Sequence, residues 1–214
     1  MEVSRIRALR GPNLWSRHTA IEAIVTCPEA ERSLVANHPI EQRLRRIFPE
    51  VGPIEGSRSG QAPSMAHALE KVTLALQAQA GCPVTFSRTT ATEEAGVYQV
   101  VVQYSEEAVG RLALELAEKL CQSATEGHGF DLESALAQLH ELDEDVRLGP
   151  STGSIVDAAV ARGVPFRRLT DGSLVQFGWG SQQRRIQAAE IDSTSAIAES
   201  IAQDKDLTKK LLHA

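Results

Sequence analysis

The residue types best suited to chemistry meet in MAHALEKV, where His67, Glu70 and Lys71 lie on one expected helix. Residues i and i+4 share a helix face, with i+3 beside them. An HxxEH helix binds zinc through two histidines and uses the glutamate as general base. Here Lys71 stands where the second histidine would be, and an ammonium group is not a metal ligand. One histidine and one glutamate do not close a zinc site that needs three protein ligands plus water. The expectation is therefore a solvated helix face with His67 and Glu70 as neighbours, with no metal site and no catalytic residue.

A second constellation is Leu148-Gly149-Pro150-Ser151-Thr152-Gly153-Ser154, just ahead of an apolar helix. Ser151 or Thr152 can cap that helix, whose first amides also form a natural anion site. Arg184 and Arg185 follow at the start of an expected strand. Neighbouring strand residues point to opposite faces, so only one of the two can face a given site. A guanidinium fork matches a carboxylate, which allows a carboxylate clamp, and an ordinary solvated edge fits equally well. Gly178-Trp179-Gly180 is too short for a dinucleotide fingerprint, and no GxxxxGK[ST] P-loop occurs. Glu126 to Asp145 holds seven acids and no Lys or Arg, the pattern of a solvated helix face.

These residues need a scaffold, and 214 residues allow one large domain or one domain plus part of a second. The hydrophobic fraction of 42% suits a globular chain, while 4% aromatics favour a core of small, helix-forming side chains. A net charge of -6 argues against a general nucleic-acid binder. Cys27, Cys82 and Cys121 are odd in number and form no CxxC pair, which fits free thiols in a reducing cytoplasm. No apolar run is long enough for a transmembrane span, and the opening residues lack the apolar core of a secretory signal.

Residues 2-9 alternate imperfectly as a strand, stopped by Gly11-Pro12-Asn13, and Ala20 to Cys27 can pair with it. Pro39 opens a basic helix, and residues 49-63 form a Pro/Gly loop. A helix runs from Ser64 to Gly81, followed by a short strand from Pro83 to Phe86, a polar loop and a strand from Val97 to Tyr104. A helix over Glu106 to Cys121 and another capped by Asp131 complete an α+β pattern, helices on one face of a mainly antiparallel sheet. A boundary falls near Leu148-Gly149-Pro150, dividing 1-148 from 149-214. The first part carries 14 basic and 21 acidic residues, the second 8 and 7. The second part reads helix (Thr152 to Arg162), strand (Phe166 to Leu169), turn, strand (Leu174 to Phe177), basic strand and two short helices. The sequence stops at LLHA inside a helical pattern, as a severed domain would.

Several segments together resemble cyanophycin synthetase, the ATP-dependent ligase that builds an arginine–aspartate storage polymer. IRALRGPNLWS is similar to that family's first strand and RGPNxWS turn. MAHALEKVTLALQAQAGCPVTFSRT and GVYQVVVQYSEEAVGRLA resemble its helix–strand and strand–helix segments. LGPSTGSIVDAAVARGVPFRRL and LVQFGWGSQQRRIQAAEIDSTSAIAESIAQDKDLTKKLL resemble the stretch leading into the ATP-grasp domain. The similarity covers nearly the whole chain except parts of residues 27-62. It implies a polymer-binding N-terminal domain over 1-148 and an incomplete α/β ATP-grasp-type lead-in over 149-214. Cofactors are none in this chain, with ATP and Mg belonging to a full-length member. The family's HxxEH-type helix, linked to polymer hydrolysis in some members, reads His67-x-x-Glu70-Lys71 here, and the loop before it is shortened to GSRSGQAPS.

The resemblance implies that GPST contacts polymer, so Gly149, Pro150, Ser151, Thr152, Arg184 and Arg185 form the expected polymer or substrate site. Expected partners are cyanophycin and the remaining ligase domains or further copies of the chain, with no nucleic acid and no membrane. A free-standing, non-catalytic polymer-binding or assembly module of the same ancestry is the alternative. An intact small hydrolase would need the metal helix.

Overall fold

A computed structural model describes residues 1–34, 38–56, 62–188 and 190–213. The middle of the GSRSGQAPS loop, residues 57–61, lies outside them. The chain divides into two compact units, Met1–Arg147 and Leu148–Ala214.

The first unit is built on an antiparallel sheet of order β1-β2-β4-β3, from β1 (Glu2–Leu9), β2 (Ala20–Thr26), β3 (Ser87–Ala91) and β4 (Val97–Gln103). Its register pairs Ile21 with Val102, Ala23 with Val100 and Val25 with Tyr98, which sets these side chains on one face. That face is covered by α2 (Met65–Gln79) and α3 (Glu107–Glu126), which bring in Leu69, Val72, Leu76, Val109, Ala113 and Leu120. α1 (Pro39–Ile47) and α4 (Leu132–Val146) pack on α3. α1 starts at Pro39, as its fixed φ favours, and Asp131 caps α4 by accepting the Ser134 N–H at 2.9 Å. Gly110 allows the close approach of α3 to the sheet, because a Cβ there would sit 2.6 Å from Tyr104 Cβ.

The imperfect alternation of residues 2-9 has a structural cause. The β1–β2 register shifts between Ser4 and Arg7, and Arg5 takes a φ of 49° within that bulge. Two expected elements need correction. Pro83 to Phe86 is not a strand; the strand is Ser87–Ala91, within the segment expected as a polar loop. Pro83 has no N–H to give, and the Thr85 and Phe86 amides bond the Gln103 side chain at 3.0 Å instead of a neighbouring strand's carbonyls. α3 runs five residues past Cys121, to Glu126, where Gly127 turns left-handed and ends it.

The second unit has its own antiparallel sheet, β5 (Phe166–Arg168), β6 (Leu174–Phe177), β7 (Arg184–Gln187) and β8 (Glu190–Ile191) in sequential order. The two-residue β8 carried no recognisable pattern. α5 (Pro150–Ala161) packs through Val156 on Val175 and Ile186, with Leu148, Phe166 and Phe177 around them. α6 (Ala196–Gln203) and α7 (Lys205–Leu212) follow, and among the described residues neither contains a buried one. Both units are α+β with antiparallel sheets.

Candidate functional site

At the start of α2 the expectation of a solvated face is overturned. His67 and Glu70 are only 3% and 4% exposed. α2 packs on the sheet and, beside it, on α3, so its buried face is wide enough to take in both residues. Ser64 is the N-cap, and His67 occupies the third helical position, where glutamate or glutamine usually completes a capping box. His67 Nδ1 accepts the Ser64 N–H at 3.1 Å and lies 2.9 Å from Ser64 Oγ. With Nδ1 accepting, Nε2 carries the proton; it is buried with no hydrogen-bond partner, while the ring meets Tyr98 edge-on at 5.9 Å. Burial is the main cause that lowers the His67 pKa; Glu70 opposes it and Lys71 adds to it. Glu70 accepts the Ser87 hydroxyl at 2.6 Å and pairs with Lys71 Nζ at 3.5 Å. Among the described residues no three His, Cys, Asp or Glu side chains group together to hold a metal ion. The local chemistry is a buried polar knot joining α2 to β3.

The second candidate site lies wholly in the second unit. α5 begins at Pro150, with Gly149 as N-cap, so neither Ser151 nor Thr152 caps it. Both sit inside the first turn, because the fixed φ of Pro150 starts the helix one residue before the hydroxyls. Thr152 is buried, on the side that also presents Val156 to the sheet, and Ser151 is exposed. Pro150 has no N–H, so Ser151 and Thr152 supply the first backbone donors, which find no acceptor among the described residues.

Arg184 and Arg185 are both exposed on β7. Arg184 pairs across the ladder with Phe177 and Arg185 with Gln176. Arg184 therefore shares a sheet face with Ile186, the face that α5 covers, and Arg185 lies on the other. One Arg184 N–H donates to the Gln183 carbonyl at 3.0 Å. The structure sets Gly149, Pro150, Ser151 and Arg184 on the α5 side of this sheet, and Arg185 apart from them.

A third polar cluster escaped the sequence reading. On the sheet face of the first unit opposite the helices, Glu22 is only 2% exposed and accepts from Arg7 Nε, from Gln99 Nε2 and from Trp15 Nε1 at 3.3 Å. Its pKa is lowered, chiefly by the Arg7 hydrogen bond. Arg88 lies over the Trp15 ring, 5.7 Å from its centre. RGPNLWS was legible as a turn, but nothing in its spacing told that Trp15 would fold back to an acid seven positions on, in the strand that pairs with Gln99.

Residues 39–126, from the start of α1 to the end of α3, match the cyanophycin synthase-like N-terminal domain family. The chain carries a cyanophycin synthase-like N-terminal domain. It is 36% identical to cyanophycin synthetase of Trichormus variabilis over 232 aligned positions, which cover all of this chain and 25% of that protein. Cyanophycin synthetases of Geminocystis herdmanii and Synechocystis sp. are each 34% identical over 99% of this chain and 26% of their own length. The chain thus spans about a quarter of the length of these relatives, and corresponds to their N-terminal part. The buried His67–Ser64 knot, Glu70 and Ser87 all fall inside the cyanophycin synthase-like domain, whereas Ser151, Arg184 and Arg185 lie beyond its matched residues. No helix among the described residues is long and apolar enough to cross a membrane.

Proposed function

We propose that the chain is the polymer-holding N-terminal portion of a cyanophycin synthetase. It binds the arginine–aspartate polymer and supports ATP-dependent addition of aspartate and arginine by domains outside these 214 residues. The observation that carries this reading is the identity of 32–36% that runs along the whole chain to proteins named cyanophycin synthetase. ATP and magnesium belong to the full-length enzyme; this chain has no P-loop, and no reaction step is assigned to its residues.

The polymer offers carboxylates and guanidinium groups together. Ser151, the first amides of α5 and the Arg184 guanidinium are suited to a carboxylate, since a helix N-terminus and an arginine fork both favour anions. Gly149 and Pro150 shape the turn that leaves those amides open. Thr152, with its side chain buried, positions the helix, and Arg185 serves a separate stretch of polymer. The three cysteines are free and buried, which suits the cytoplasm.

The test is retention of the purified chain on the arginine–aspartate polymer. Bound chain released by added salt is the expected result, and a folded chain that passes unretained at low salt removes the proposal.

A further inference from the structure

The chain has two tryptophans, and their rings stand in opposite situations. Trp15 is occupied: Arg88 lies 5.7 Å from its ring centre and its Nε1 donates to Glu22. Trp179, in the loop between β6 and β7, is 39% exposed, and its ring meets no second ring and no cation among the described residues. Its backbone is extended, with φ −135° and ψ 156°, between Gly178 at φ 67° and Gly180 at φ 63°. Residues with a Cβ rarely adopt that left-handed region, so the two glycines shape the corner that turns Trp179 out. The corner is pinned on both sides. The Gly178 N–H donates to the Pro165 carbonyl at 2.8 Å, and the Gly178 carbonyl accepts Gln176 Nε2 at 3.3 Å. The Gly180 carbonyl accepts the Gln183 N–H at 3.2 Å. A ring displayed on a fixed loop binds at a lower ordering cost than a mobile one.

Arg184 belongs to the same hairpin and pairs with Phe177 next to the loop. Its hydrogen bond to the Gln183 carbonyl holds the guanidinium beside that loop, and it makes no ion pair among the described residues. The sequence has no Asp or Glu between Asp171 and Glu190, so the hairpin brings no carboxylate of its own to either group. An indole face attracts a cation, and a guanidinium fork matches a carboxylate.

We propose that the β6–β7 hairpin reads single arginine units of the polymer: Trp179 stacks the guanidinium of the unit and Arg184 takes its carboxylate. An arginine joined to aspartate through its amino group keeps a free α-carboxylate, three methylenes from its guanidinium, so one unit carries both complements. The bound carboxylate then stands between the two cations and offsets their repulsion. Arg88 over Trp15 shows the same pairing of guanidinium and indole inside the protein. This assignment rests on the polymer-holding reading above and adds the chemical group that is recognised.

Trp179 itself reports the contact. In a Trp15→Phe chain, with its fold verified by circular dichroism, Trp179 is the sole tryptophan. Its emission is followed while arginine–aspartate polymer is added, and retention on the polymer is measured in parallel. The expected result is a saturable change in emission with the same midpoint as retention, and a much smaller change with polyaspartate, which lacks guanidinium groups. Trp179→Ala should weaken retention roughly three- to tenfold and Trp179→Phe, which keeps a ring, by less. Retention without any change in emission overturns this site and leaves the polymer-holding reading standing. A parent chain that is not retained removes that reading and this site with it. An equal response to polyaspartate, or a response to ATP that the polymer does not give, overturns the recognition of arginine.

Discussion

His67 Nδ1 accepts the backbone N–H of Ser64 at 3.1 Å, so the histidine that heads a metal-like motif closes its own helix. The ring is then buried against Tyr98, and that burial lowers its pKa. This relationship makes the motif structural and has measurable consequences.

Removing the ring by His67→Ala is expected to destabilise the first unit by about 2–4 kcal/mol, combining a lost cap with a buried void. His67→Gln should cost less, because glutamine completes a capping box. Urea midpoints of the three proteins provide the comparison, and equal losses for both variants would contradict the assigned role.

The same residue gives a pH dependence of known sign. Because the folded-state pKa is lowered, its contribution is present in full above the unfolded value of about 6.5 and is lost as pH falls through that value toward the folded one. Unfolding midpoints should therefore decline on acidification in this window, and the decline should be smaller in His67→Gln. A parent and variant with parallel pH profiles would count against it.

Lys71→His restores the letters of HxxEH without creating a zinc site. His67 Nδ1 is already bonded to Ser64 and Glu70 to Ser87, so binding zinc would break a buried knot. Metal analysis after dialysis against zinc should find no stoichiometric ion; one zinc per chain, removed by chelator, would refute this.

Much of the architecture was legible in the sequence because its signals are local. Pro39 and Asp131 mark helix starts through backbone chemistry that needs no tertiary partner, and the β-branched run Val100-Val101-Val102 marks β4. β3 was not legible, since SRTTA gains its strand conformation only by pairing with β4, and Gln103 diverts the preceding amides. The burial of His67 and Glu70 was equally hidden: both look polar on a helical wheel, and only the packing of α2 against both the sheet and the neighbouring α3 covers them. The starting point of α5 turned on one residue, Pro150, which outranks Ser151 and Thr152 as the opening signal. The split of Arg184 from Arg185 followed from strand alternation, but which one shares the α5 face depended on the Val175–Ile186 pairing.

Glu22→Ala removes the acceptor shared by Arg7, Gln99 and Trp15. The expected cost is about 1.5–3 kcal/mol, the range for hydrogen bonds to a charged group. Trp15 emission should shift to the red as the ring loses its anchor. Unchanged emission and stability would show that the cluster is not a restraint.

At the α5 end, Ser151→Ala and Arg184→Ala should each weaken polymer binding roughly ten- to hundredfold, the loss of one charge-assisted bond. Arg185→Ala, on the opposite sheet face, should weaken it less. Equal affinities for all three variants and the parent would remove this site.

Under the proposed function, the chain holds the polymer without performing the ligation. The most direct measurement adds the purified 214-residue chain to arginine–aspartate polymer with ATP, magnesium, aspartate and arginine, and follows bound chain and ATP consumption together. Saturable, salt-sensitive binding with no ATP consumed in step with amino-acid addition is the predicted result. A folded chain that does not bind, or that consumes ATP as the polymer grows, would contradict it.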